Sequence, residues 1–131
     1  MKDKLLDEIN SFVKVHTEME KASYTEEYKN SQWYSEPSLS EVFGYDISVD
    51  IKKLINGIKR NEELTYFIEL FKERAKEDGK SWYDEDLCCI RTGYKWETGI
   101  YVTLHNILAK SIGEKMIDMN LYYEYRIVLS Y

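Results

Sequence analysis

One proline and six glycines in 131 residues leave this chain little material for a linker, a low-complexity tract or a collagen-like repeat. Its two cysteines, Cys88 and Cys89, are adjacent. That geometry strains any disulfide between them, so no disulfide framework is implied. It also argues against a zinc site built with His16 and His105, because structural zinc wants cysteines about two to four residues apart, with a loop that curls around the ion. No metal and no cofactor are expected. Long apolar runs are missing as well. In the apolar C-terminal half the longest stretch without Asp, Glu, Lys or Arg is Thr98 to Ala109, far short of the ~20 residues of a membrane-spanning helix. The N-terminal MKDKLLDEINS is charged and amphipathic and lacks the apolar centre of a signal peptide, which points to a cytoplasmic protein. Gly-rich phosphate loops and nucleophile elbows are absent. So is a basic excess: 18 basic against 24 acidic residues give a net charge of −6, a poor match for phosphate backbones.

Most of that imbalance sits in one stretch. Residues 24–50 hold Glu26, Glu27, Glu36, Glu41, Asp46 and Asp50 against Lys29 alone, a net of −5. The same stretch carries Tyr24, Tyr28, Trp33, Tyr34, Phe43 and Tyr45. Aromatic side chains supply contact area and carboxylates steer encounter, so this mixture suits a surface that docks on a basic protein groove. The expected partner-binding residues are Glu26, Glu27, Trp33, Tyr34, Glu36, Glu41, Tyr45 and Asp46. Trp82, Tyr83, Tyr94 and Trp96 also fall in expected loops, where exposure and folding back over helix ends are equally compatible with the sequence.

The chain length suits one domain spanning 1–131, and hydrophobic spacing reads it as a mainly α, small helical bundle. Leu5, Ile9, Phe12, His16 and Met19 form the stripe of a first helix, widened by Leu6 and Val13, and the pattern fails near Ser23. Ser38-Leu39-Ser40-Glu41 is a capping-box sequence ahead of a short helix closed by Gly44. Ser48 is expected to cap a helix to about Arg60, with Ile51, Leu54, Ile55 and Ile58 inward. Asn61 is expected to cap the next, from Glu62 to Asp78, burying Leu64, Phe67, Ile68, Phe71 and Ala75 before Gly79. Together these two helices read as a hairpin. A further helix follows Thr98, with Ile100, Tyr101, Leu104, Ile107, Leu108, Ser111 and Ile112 running to Gly113, and Met116 and Met119 available to extend it. Residues 84–92 and 121–131 fit helix or strand. The alternative fold is therefore α+β, with a small antiparallel sheet in the C-terminal part.

The remaining candidates for chemistry have plainer readings beside them. His16 lies in an apolar stripe and His105 on a buried-looking helix, and such histidines more often serve as hydrogen-bonded core residues. Asp84-Glu85-Asp86 follows Ser81 in the manner of a helix start, where acids complement the macrodipole. A helix-turn-helix fails on charge: the second helix carries Glu62, Glu63, Glu69, Glu73, Glu77 and Asp78. The functional expectation is a small acidic inhibitor, not an enzyme, that occludes a basic, nucleic-acid-handling partner such as a nuclease toxin or a defence enzyme. Immunity proteins and phage anti-defence proteins work by that logic, although no motif ties the chain to either class. The alternatives are a non-catalytic regulator or assembly adaptor, and a small enzyme using His105 with Asp84, Glu85 and Asp86.

Overall fold

The computed structural model describes residues 2–78, 82–84, 89–91 and 96–117. In chain order these form α1 (Lys2–Ala22), α2 (Glu26–Lys29), α3 (Leu39–Phe43), α4 (Tyr45–Lys59), α5 (Leu64–Asp78), β1 (Trp82–Asp84), β2 (Cys89–Arg91) and α6 (Trp96–Ser111). The protein is mainly helical, as its periodicity predicts. The α+β alternative is not supported. Each strand has three residues, and they pair antiparallel with each other, Trp82 opposite Arg91 and Asp84 opposite Cys89. The proposed terminal element 121–131 lies outside the described residues, as do Gly79, Glu85, Asp86, Cys88, Tyr94 and Met119. The chain divides into two compact units, Met1–Glu62 and Glu63–Tyr131.

In the first unit α1 and α3 pack against α4. Leu5 and Ile9 of α1 are buried, as are Phe43, Ile47, Ile51, Leu54 and Ile58. Each such side chain contributes roughly 1.5–3 kcal/mol on leaving water. Lys2 Nζ donates to the Lys59 carbonyl at 3.1 Å, placing a cation on the free carbonyls that end α4. The burial fades along α1. Phe12 and His16 are half-buried against Phe43, with ring centroids 5.9 and 5.3 Å away, and Met19, expected inward, is 62% exposed. The stripe outruns its partners: α3 is only five residues long, and helical spacing alone does not show where a packing partner ends.

Two expected caps move. Ser48 does not start α4; it is buried inside the helix and its hydroxyl donates to the Tyr45 carbonyl at 2.7 Å. The cap lies four residues earlier, at Gly44, whose φ of 88° lets one residue close α3 and open α4. Asn61 ends α4 instead of starting α5. It adopts φ 58°, with Asn61 N–H donating to Ile58 O at 3.1 Å and Glu62 N–H to Gly57 O at 2.9 Å. This is the paired closure of a Schellman motif, and asparagine tolerates the left-handed conformation it requires. α5 therefore begins at Leu64, two residues after the expected start.

The second unit is built on α5 packed against α6. Phe67, Ile68, Phe71 and Ala75 are buried as their spacing predicts, and Leu64 is half-buried. Phe71 meets Tyr101 with centroids 5.9 Å apart. α6 is buried on more than one face, through Ile100, Tyr101, Val102, Leu104, Leu108 and Ala109. It starts at Trp96, which the sequence places in a loop. It closes in a second Schellman turn at Gly113, φ 74°, with Glu114 N–H reaching Ala109 O at 2.8 Å. That closure leaves Ile112 and Met116 outside the helix and exposed. Of the two helices expected over residues 49–78, α4 packs within the first unit and α5 within the second.

Candidate protein-docking surface

Between α1 and α4 the chain has little to bury, and local hydrogen bonds order it instead. Ser23 turns the end of α1, its N–H and hydroxyl both donating to Glu20 O at 3.1 and 2.6 Å. Thr25 caps α2 by accepting from Tyr28 N–H at 3.1 Å, with Glu26 and Glu27 in the first turn where the helix dipole favours acids. Ser31 then fixes the next bend: its hydroxyl donates to Tyr28 O at 2.8 Å and accepts from Trp33 N–H at 3.2 Å. Trp33 is held by its backbone while its side chain remains 78% exposed. Ser38 and Glu41 form the predicted capping box of α3, with Glu41 N–H to Ser38 Oγ at 3.2 Å and Ser38 N–H to Glu41 Oε1 at 3.3 Å. Tyr45, the first residue of α4, is 75% exposed, and Asp46 beside it is also exposed.

The sequence-predicted residues therefore separate into two groups. Glu26, Glu27, Trp33, Tyr45 and Asp46 lie open to solvent, Glu26 in a loose 3.6 Å pair with Lys29. Tyr34, Glu36 and Glu41 carry side-chain hydrogen bonds. Tyr34 is half-buried, and its ring meets Tyr28 edge to face at 5.3 Å and 71°. Its hydroxyl donates to Glu36 Oε1 at 3.1 Å. Glu36 also takes the Lys21 ammonium, 3.2 Å from Oε1 and 3.1 Å from Oε2, while Glu41 is tied to Ser38. These bonds show in the titration of the cluster. Lys21 and then Tyr34 hold the Glu36 carboxyl below the ordinary glutamate range. Glu36, helped by Glu18, raises the Lys21 ammonium. Desolvation, followed by the hydrogen bond to Glu36, raises the Tyr34 phenol.

Sequence reasoning missed Lys21, Tyr28 and the Thr25 cap. Thr25 had a usable signal, a threonine directly ahead of two glutamates. The Lys21–Glu36 pair spans 15 residues and leaves no periodic trace.

Elsewhere each of the two histidines makes a local side-chain contact. His105 is buried, and its Nδ1 contacts Asn106 Oδ1 at 2.9 Å. That oxygen also accepts from Ile117 N–H at 2.8 Å, so the histidine nitrogen is the donor. His16 Nδ1 lies 3.0 Å from the Phe12 carbonyl. Asp84 falls in β1, while Glu85, Asp86 and Cys88 lie outside the described residues. Among the described residues no group of three or more His, Cys, Asp or Glu side chains could hold a metal ion, and no helix is long and apolar enough to cross a membrane. No protein-family model, no curated protein and no solved structure matches the chain.

Proposed function

We propose that residues 24–46 form a docking surface for a basic protein partner, and that the protein acts by occluding that partner's cationic site. The observation that carries this reading is Trp33, a large apolar side chain 78% exposed on a backbone fixed by Ser31. An aromatic anchor held in place before binding loses little entropy on binding, and tryptophan and tyrosine are the residues that most often dominate interfaces. Tyr45, 75% exposed, supplies a second anchor. Glu26, Glu27 and Asp46 surround these anchors in the sequence with exposed negative charge. A surface offering carboxylates where a nucleic-acid-handling protein expects phosphates is suited to inhibition, which favours an inhibitor over an adaptor.

The test is binding kinetics on the partner captured by the tagged protein. Reversing Glu26 and Glu27 to lysine should slow association and flatten its dependence on ionic strength, because exposed charges act mainly on encounter and are screened over roughly 8–10 Å. Trp33→Ala should instead speed dissociation, with a loss of about 2 kcal/mol or more. Binding indifferent to both changes would remove the reading.

A further inference from the structure

The Lys21 ammonium sits on a carboxylate that faces outward. It meets both Glu36 oxygens, at 3.2 and 3.1 Å, and lies 3.6 Å from Glu18 one turn back on α1. The Glu36 side chain stays 64% exposed while that of Lys21 is 24% exposed. Lys21 therefore leaves much of the Glu36 side chain open to solvent. The Tyr34 hydroxyl fixes Glu36 Oε1 from within the segment, and the partly exposed Tyr28 ring stands edge to face with Tyr34. Lysine is an incomplete ligand for such a seat. Its ammonium is a compact point charge, whereas a guanidinium forks onto both carboxylate oxygens and lays its plane on an aromatic ring. If Lys21 lets go of Glu36 it still has Glu18, so exchange strands no cation.

We propose that Glu36, Tyr34 and Tyr28 form an arginine seat that Lys21 fills in the free protein and that an arginine of the basic partner takes over on docking. The inference rests on the docking role above and adds the residue class the surface selects. The occupant is an arginine-bearing protein segment, since residues 24–50 carry a net −5 that favours a polycation.

Calorimetric titration of the full chain with nona-arginine and nona-lysine peptides tests the exchange. The arginine peptide should bind more tightly than the lysine peptide. Lys21→Met should tighten the arginine peptide about 2–5-fold, the scale of an exposed ion pair. Lys4→Met removes the same charge about 25 Å away along α1 and should change binding less than about twofold. Adding Glu36→Gln to Lys21→Met should erase the gain. A Lys21→Met variant that binds no more tightly than Lys4→Met, or a lysine peptide that binds as well as the arginine peptide, would overturn the exchange and leave Lys21–Glu36 a simple strut. Trp33→Ala and Glu27→Lys run in the same titration separate the two claims. If they weaken binding while Lys21→Met matches Lys4→Met, docking stands and the exchange falls. If neither peptide binds, or binding ignores Trp33, Glu27 and Lys21 alike, the docking reading fails and the exchange with it.

Discussion

The α5–α6 pair and the segment from Tyr24 to Asp46 draw on the same aromatic side chains and order them by opposite means. In the helical pair, Phe67, Phe71 and Tyr101 are at most 3% exposed, and burial fixes their positions. In the acidic segment, Trp33 and Tyr45 are at least 75% exposed, and the backbone beneath them is held by Thr25, Ser31, Ser38 and Glu41 through short-range hydrogen bonds. A core spends its aromatics on its own stability. A surface ordered by caps leaves them open to solvent.

The sharpest way to break this contrast is to truncate one aromatic on each side of it. Phe71→Ala should cost about 3–5 kcal/mol, because the side chain is fully buried against Tyr101 and its loss leaves a cavity. A Phe71→Ala protein that unfolds in urea close to the parent midpoint would mean that α5 does not carry the core of its unit. The next effect is smaller. Ser38→Ala removes the cap of α3 and the anchor of Glu41 together, and should cost about 1 kcal/mol in the same assay. It should also raise amide exchange across residues 38–43, with α6 unaffected.

The smallest effect is in the pH response of the Lys21–Glu36 clasp. The folded Glu36 carboxyl titrates below its ordinary value, so its contribution is present above the usual glutamate range and is lost as pH falls through the lowered folded pKa. Lys21 titrates above its ordinary value, so its contribution is present below the usual lysine range and is lost as pH rises through the raised pKa. Between those limits amide protection at residues 31–36 should be flat. Glu36→Gln should remove the acid limb of that profile while changing the melting temperature little, as expected for an exposed pair. An acid limb unchanged in Glu36→Gln would assign it to another carboxylate.

The parts of the fold that were legible in the sequence are those where one residue type serves one local purpose. Phe67, Ile68, Phe71 and Ala75 repeat at helical spacing and are buried. Ser38 and Glu41 match a capping box and make one. Gly113 closes α6. The errors came where a residue type serves two purposes. Asn61 suits a helix start and a helix stop, and the backbone took the stop because α4 needed a left-handed residue there. Ser48 suits a cap, but Gly44 had already opened the helix. In the acidic segment, composition located the exposed charge and Trp33. It could not reveal that Glu36 answers a lysine 15 residues away, since ion pairs across a loop follow no period.

The central claim, that Trp33 is ordered for a partner and does not belong to the core, is tested most directly by the thermal unfolding of Trp33→Ala beside the parent protein. A side chain 78% exposed should contribute less than about 0.5 kcal/mol to folding, so the two melting temperatures should agree within about 2 °C. A fall of several degrees would show that the indole packs on the fold, and would contradict the account.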